Sequence, residues 1–397
     1  MRIGIFSESF EPVQNGVSTS VRTLIDELRA HHHRVVVVAP YYPDYVDDSP
    51  FILRVPSVRT PFNPNYPLSY PWFPNLRRNL TRIAPDILHS HTPFFLGLLA
   101  SRIAKQDNIP LVSTYHTLYN HYGHYLVFLP PQAVEGLLEW WMPEYYNRCN
   151  HVIVPSKIAE QSLRQYKVET PVTVIPTAVP LPHEEDVSEQ SRRKARERFK
   201  IPIDGKLLLY VGRIAQEKNI ELAMESFHTV VQKHKDAYLL IIGGGPHYEA
   251  CRKIVESFPD GDRIILAGPM IRAELDPFYA AADIFVFPSS TETQGLVIAE
   301  ARAAGTPCVV VDEGGACETV VNEEDGIITK SDPEAFSKAI LALLDDPSRM
   351  EGMRRKCLLN AQKYTPSSMG EKIIGIYEAV LEERNQRYPA LQKKHPG

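Results

Sequence analysis

The chain has 397 residues, 44% of them hydrophobic and 23% charged, with a formal net charge of -5. This composition excludes a disordered or fibrous chain, and the slight acidity excludes a general nucleic-acid binder. A single core rarely grows to this length, so two domains are expected.

The five cysteines, Cys149, Cys251, Cys308, Cys317 and Cys357, are odd in number and include no C-x-x-C pair. That argues against a disulfide framework or a zinc site and suits a reducing compartment. Met1–Phe6 reads as a strand rather than a signal peptide. No apolar run reaches the roughly 20 residues that span a bilayer. The expected location is cytoplasmic, soluble or peripheral on the inner face of the cell membrane.

In chain order, Met1–Phe6, Val35–Ala39, Ile87–His89, Leu111–Thr114 and Val152–Val154 are short apolar runs of the kind buried in parallel sheets. Amphipathic helical stretches, such as Val17–Ala30 and Phe95–Lys105, lie between them. The rhythm restarts with strands at Lys206–Val211, Tyr238–Ile242, Arg263–Ala267, Ile284–Phe287 and Cys308–Val311. Helices at Leu222–Lys233, Pro246–Ser257 and Gly295–Ala304 fill the gaps, and Met369–Arg384 forms a last helical pattern. The Pro- and Thr-rich stretch Pro171–Pro182 and the charged run Glu184–Lys200 mark the connection, although the run also reads as a solvated helix opening the second domain. The expected organisation is a first domain over 1–180, a second over 181–363, and a C-terminal segment, 364–397, that crosses back to the first. The fold class is α/β, with two Rossmann-like doubly wound domains facing across a cleft.

Chemistry-bearing residues collect where strands of the second half end. Gly212-Arg213 and Glu217-Lys218-Asn219 follow strand Lys206–Val211. Two cations at such a point can hold a diphosphate and stabilise it as a leaving group; the structural alternative is a pair of surface charges. Gly243-Gly244-Gly245-Pro246 follows the next strand, where glycines let backbone amides approach a phosphate. Tyr248 stands where a dinucleotide fingerprint needs its third glycine, so a tight turn is an equal reading. After strand Ile284–Phe287 comes Ser289-Ser290-Thr291-Glu292-Thr293-Gln294-Gly295-Leu296, with Glu300 eight residues beyond Glu292. First-turn amides here would face an anion. The two carboxylates could hold sugar and ribose hydroxyls, while capping and surface charge are the alternatives. Asp260-Gly261-Asp262 has the D-x-D pattern of metal-dependent transferases, but it precedes a strand, at the wrong end of the sheet, and reads as a turn.

Glu-x7-Glu after a Pro-Ser strand end, followed by Glu300-Ala301-Arg302-Ala303-Ala304-Gly305-Thr306-Pro307, resembles the retaining family 4 glycosyltransferases of the GT-B fold. Gly212-Arg213 with Glu217-Lys218-Asn219, and Tyr279-Ala280-Ala281-Ala282-Asp283, resemble the same family. The resemblance covers nearly the whole chain. It implies that Arg213 and Lys218 bind the donor diphosphate, Glu292 the transferred hexose and Glu300 the ribose. The loop amides of Thr293, Gln294, Gly295 and Leu296 would then lie near the donor, as would Gly244 and Gly245. No metal or other cofactor is implied, and the nucleotide-sugar is a substrate.

In the first half the family places a glycine-rich loop after the first strand, where this chain has Asn15-Gly16. Gly16 allows close backbone approach, and Asn15 could add a polar contact. His116, in Tyr115-His116-Thr117, stands at a strand end and is a candidate for bonding the transferred sugar; a satisfied, partly buried histidine is the bland alternative. His89 and His91 match a histidine pair frequent in the family, with a structural or acceptor-side role. Retention by double displacement would need a carboxylate nucleophile, and none is identifiable. The resemblance implies a front-face mechanism in which the leaving diphosphate helps deprotonate the acceptor.

Three aromatic-rich segments, 41–45, 65–74 and 118–129, and Glu139–Tyr146 suit a sugar platform or a membrane headgroup layer as well as plain packing. The run from Thr114 to Tyr125, with Tyr119 and Tyr122, resembles the diacylglycerol glucosyltransferase branch, as does Glu292-Thr293-Gln294-Gly295. This implies a UDP-hexose donor, UDP-glucose first, a lipid acceptor such as diacylglycerol, and peripheral membrane contact through the N-terminal domain. Two departures stand: the first half lacks a basic excess, and Ala178 replaces the usual glycine after Thr177. The alternatives are a mannosyl- or glucosyltransferase acting on a soluble or polyprenyl-linked glycan and, in another class, a nucleotide-sugar epimerase.

Overall fold

A computed structural model describes residues 1–60, 63–69, 74–119 and 131–388. The chain divides into two units, Met1–Thr177 with Pro366–Gly397, and Ala178–Thr365. The first runs β1 (Arg2–Phe6), α1 (Gly16–Ala30), β2 (Arg34–Pro40), β3 (Ile52–Val55), β4 (Ser57–Thr60), β5 (Asn63–Ser69), α2 (Pro74–Ile83), β6 (Ile87–Ser90), α3 (Phe95–Asp107), β7 (Leu111–Thr114), α4 (Pro131–Tyr146), β8 (His151–Val154), α5 (Lys157–Gln165) and β9 (Val172–Val174). Its main sheet is seven-stranded, ordered β3-β2-β1-β6-β7-β8-β9, and every pairing is parallel. Runs such as Val35-Val36-Val37-Val38 are buried in full, as strands covered on both faces require. The hairpin β4-β5 stands apart from this sheet.

The second unit runs α6 (Glu189–Arg198), β10 (Lys206–Val211), α7 (Ile220–Lys233), β11 (Ala237–Ile242), α8 (Tyr248–Ser257), β12 (Ile264–Gly268), α9 (Asp276–Ala281), β13 (Ile284–Phe287), α10 (Leu296–Ala303), β14 (Cys308–Val311), β15 (Gly326–Thr329), α11 (Pro333–Leu344) and α12 (Pro347–Ala361). Its parallel sheet is ordered β12-β11-β10-β13-β14-β15. In both sheets the order reverses beside the first strand of the unit, between β1 and β6 and between β10 and β13. Loops leaving the carboxyl ends of those two strands diverge to opposite faces and leave a crevice.

The final helix, α13 (Pro366–Arg387), belongs to the first unit and packs on α1. Gly370 is required there, since a Cβ would lie 2.9 Å from Cβ of Glu27. The chain passes from one unit to the other between Thr177 and Ala178 and again between Thr365 and Pro366. The content of the connection differs: Pro171–Pro182 is not a bare linker but supplies β9, the edge strand, and the charged run Glu184–Lys200 forms α6 of the second unit. Among the described residues no helix is long and apolar enough to cross a membrane.

One buried ion pair ties α10 to the loop before β15. Arg302 donates to Asp325, whose carboxylate also accepts from Asn360 Nδ2 at 2.7 Å and from the Val321 amide at 2.8 Å. Both charged side chains are buried. Asp325→Ala leaves the guanidinium uncompensated and is expected to destabilise the second unit by about 3–5 kcal/mol. A thermal unfolding midpoint equal to that of the parent protein would contradict this.

Candidate active site

Lys218 and Glu292 meet across the reversal point of the second sheet. Lys218 ends a short 3-10 turn, Gln216–Lys218, on the loop leaving β10. Glu292 lies on the loop leaving β13. Lys218 Nζ donates to Glu292 Oε1 at 2.5 Å. The lysine is 8% exposed and the glutamate side chain 20%. A charge-assisted bond this short orients both side chains, and partial burial keeps it from being screened as a surface pair would be. Arg213, on the same loop, is 47% exposed at its side chain and lies 3.7 Å from Glu217.

Both loops are braced by glycine-dependent contacts. The Gly315 amide donates to the Glu292 carbonyl at 2.6 Å, and a Cβ on Gly315 would fall 2.0 Å from the Thr293 carbonyl oxygen. Gly314, at φ +63°, would place a Cβ 2.6 Å from the Ser290 carbonyl oxygen. The Gly243–Gly245 turn packs on the β10 loop in the same way. Ile214 N donates to Gly244 O at 2.9 Å, and a Cβ on Gly245 would lie 2.2 Å from Ile214 O. Close approach requires the first and third glycines, since a Cβ on Gly243 would also fall 1.8 Å from the Gly212 carbonyl oxygen, whereas one on Gly244 would meet only Pro269 at 3.6 Å. Gly295, at φ +81°, caps α10 without a side-chain bond and Leu296 begins the helix. Glu292 is therefore not the helix cap. Gln294 is buried, and its carbonyl accepts from Thr319 Oγ1 at 2.8 Å. Thr293 is half-buried.

Glu300 lies in the second turn of α10 and is buried. Its Oε1 accepts from Arg272 Nε at 2.8 Å and its Oε2 from the Tyr279 hydroxyl at 2.7 Å. Burial raises its pKa, and the Arg272 guanidinium opposes that rise. The surface-charge alternative is thus excluded, and any ribose contact must use lone pairs that Arg272 and Tyr279 leave over. Asp260 accepts from Gln232 Nε2 at 3.1 Å and lies 3.0 Å from His228 Nδ1, in a turn that precedes β12.

In the first unit the β1–α1 loop is packed rather than loose. Phe10 is fully buried with Arg22 and Arg54 over its ring. Asn15 is the N-cap of α1: its side chain accepts from Ser18 N at 2.9 Å and its Nδ2 donates to Ser9 Oγ at 2.7 Å. The polar contact expected of Asn15 with a donor would have to be shared with this capping role. Gly16 opens the helix and is exposed.

The three histidines form a stack. Ring centroids lie 4.3 Å apart for His89–His91 and 5.2 Å apart for His91–His116. His91 Nδ1 and His116 Nε2 are 2.9 Å apart. Burial depresses the pKa of all three, to about 3 for His89 and about 4 for His116. Neutral imidazoles follow, so one of the two bonded nitrogens donates and the other accepts. His116 is half-buried, and His91 Nε2 has no hydrogen-bond partner among the described residues. His89 is different. It is fully buried, with Thr114 Oγ1 at 2.7 Å from Nε2 and the Tyr377 hydroxyl at 2.6 Å from Nδ1. The acceptor contact expected of His89 is therefore corrected: both nitrogens are used in tying β6 to β7 and α13. Tyr119 is half-buried, edge-on to Phe94 and Tyr115. Tyr122 lies outside the described residues.

Comparison with known sequences gives the class first: the description "Glycosyltransferase Family 4" matches residues 14–182 and "Glycosyl transferases group 1" matches residues 191–364. The chain belongs to glycosyltransferase family 4 and is a glycosyltransferase. It is 32% identical over 317 residues to an alpha-monoglucosyldiacylglycerol synthase of Streptococcus pneumoniae, covering 78% of this chain and 70% of that one. The synthase of the same name from Acholeplasma laidlawii is 28% identical across 99% of this chain and all of its own. A GDP-mannose-dependent alpha-mannosyltransferase of Corynebacterium glutamicum is 28% identical over 88% and 82%. In fold the chain is similar to sucrose-phosphate synthase from Thermosynechococcus elongatus, with a TM-score of 0.79 at 21% identity over 96% and 99%. The α/β class with two GT-B Rossmann-like domains stands on these findings.

Sequence reading missed Arg272 and the part Tyr279 plays in holding Glu300, and it missed Gly314-Gly315, which brace Glu292. The glycine pair carried a signal, a strand end followed by Gly-Gly, as in the Gly243 turn. It also missed Glu8. This side chain leaves the loop after β1 and accepts from the Leu96 amide at 2.9 Å. It thereby caps α3, whose own N-cap, Phe94, offers no side-chain bond. Burial pushes the Glu8 carboxyl from 4.5 up to about 7, against the lowering effect of that amide. A raised acid pKa means the folded protein binds the proton more tightly than the unfolded chain, so stability falls as pH rises from about 4.5 to 7. Glu8→Gln, which cannot ionise, is expected to flatten that slope in denaturant melts across this range. An unchanged slope would mean that Glu8 is already charged in the fold.

Proposed function

We propose that the protein is a retaining hexosyltransferase that moves glucose from UDP-glucose to a lipid acceptor such as diacylglycerol, without a metal ion. The observation that carries the donor half is the Lys218–Glu292 pair at the reversal point of the second sheet, with Arg213 on the same loop. Lys218 and Arg213 are suited to the diphosphate and to the charge that grows on it as it leaves. Glu292 is suited to accept bonds from hydroxyls of the hexose. The first turn of α10, whose N-cap Gly295 brings no side-chain bond, would add backbone amides facing the anion. Glu300 would accept from the ribose while Arg272 and Tyr279 hold it in place.

For the acceptor half, His116 would bond the transferred sugar as a neutral imidazole. His91, buried and hydrogen-bonded to it through Nδ1, would hold it in place. Transfer with retention then needs no enzyme nucleophile: the departing diphosphate takes the acceptor proton on the same face. The lipid acceptor and UDP-glucose rest on the two synthases named above. Exposed aromatics near Tyr119 support it. Phe94 and Phe95 are exposed at the start of α3, Trp140 is 60% exposed on α4, and Trp141 Nε1 donates to the Pro93 carbonyl at 3.1 Å, joining the two. Rings of this kind suit a headgroup layer, so the protein would bind a membrane surface peripherally through its first unit. The mannosyltransferase relative keeps GDP-mannose as the second donor to test.

Lys218→Ala and Glu292→Gln are each expected to lower kcat/KM by about a hundred- to thousandfold with circular dichroism unchanged. Parent-like turnover in either variant would remove that residue from the site. Nucleotide release from a panel of UDP- and GDP-hexoses, in EDTA, with and without diacylglycerol vesicles, tests the substrates. Release from UDP-glucose only with vesicles is expected. Release from GDP-mannose instead would replace the donor, vesicle-independent release would replace the acceptor, and loss of turnover in EDTA that Mg2+ or Mn2+ restores in the His247→Ala variant as well would replace the metal-free mechanism.

A further inference from the structure

His247 and Cys251 stand four residues apart at the start of α8, and Glu221 lies in the first turn of α7 beside them. The imidazole Nε2 is hydrogen-bonded to Glu221 Oε1. The ligand atoms of all three side chains lie within 4.8 Å of one another. Cys251 is fully buried, while the other two side chains are 25% and 30% exposed, so the trio opens to solvent on the imidazole and carboxylate side.

We propose that Glu221, His247 and Cys251 form a binding site for a zinc-class divalent cation, built from residues other than those assigned to the donor. Tetrahedral zinc bonds of about 2.0–2.3 Å set ligand atoms roughly 3.3–3.8 Å apart. Ligand atoms already within 4.8 Å of one another are close to that spacing. Thiolate with imidazole and one carboxylate selects zinc or cobalt over magnesium or calcium, which need sets of oxygen ligands. On binding, the Cys251 thiol releases its proton to solvent. The neutral imidazole keeps its single proton on Nδ1, exposing the Nε2 lone pair, and water fills the fourth position. The absence of a C-x-x-C pair does not speak against such a set, since its ligands come from two helices.

The site is placed to stiffen the turn between β11 and α8. The His247 amide donates to Ile214 O at 3.1 Å and Ile214 N to Gly244 O. An ion joining α7 to α8 would therefore also restrain the loop that carries Arg213 and Lys218.

The test is a titration of untagged, chelator-stripped full-length protein with Co2+ alone, followed by displacement with Zn2+. One equivalent of Co2+ should give a near-ultraviolet thiolate-to-cobalt band with four-coordinate visible bands, and Zn2+ should abolish both. Cys251→Ser should remove the thiolate band. His247→Ala, at a partly exposed position, should weaken Zn2+ at least about tenfold and serves if the cysteine variant does not fold. Absence of a thiolate band in the parent protein, or equal Zn2+ affinity in parent and His247→Ala, would overturn the proposal.

Discussion

The ion pair of Lys218 and Glu292 is the contact on which the site in the second unit depends. A lysine 8% exposed at the end of a strand would be costly without a partner, and a lone carboxylate there would face the same penalty. Joined, they fix two loops that leave the sheet toward opposite faces. The doubly wound order sets this up, because β10 and β13 are neighbours while their following helices are not on the same side. The glycines around the pair then have a physical reason. Gly314 and Gly315 let the next loop reach the backbone of Glu292, and Gly245 lets the β11 turn reach Ile214.

The first unit solves the same problem with other chemistry. There the reversal lies between β1 and β6, and it is Glu8 that crosses it, to the amide of Leu96. Burial pushes its carboxyl upward, against hydrogen bonds from the Leu96 and Phe95 amides and the Thr92 side chain. The second unit thus joins its two loops by an ion pair, and the first joins β1 to α3 by a carboxyl that accepts from a backbone amide.

Much of this was legible in the chain itself. Strands such as Lys206–Val211 and Ile284–Phe287 were visible because strands buried on both faces read as unbroken apolar runs. The loops after them stood out because Arg213, Lys218 and Glu292 follow directly on such runs. Short or mixed strands were not visible. Val172-Thr173-Val174 sits among prolines, and Ile52-Leu53-Arg54-Val55 carries a charge that turns out to stack near Phe10. Contacts between distant segments left even less trace. Nothing near His89 in the sequence announces Tyr377, and nothing near Glu300 announces Arg272, so a candidate ligand contact and an internal strut look alike until the fold brings the partners in.

The measurement that bears most directly on the site is a double-mutant cycle on Lys218 and Glu292, read as kcat/KM for nucleotide release. If the pair works as a unit, the double variant should lose little more than the worse single variant, because either change alone already dismantles it. Losses that multiply would mean that the two side chains act independently, and would contradict the dependence of the site on their ion pair.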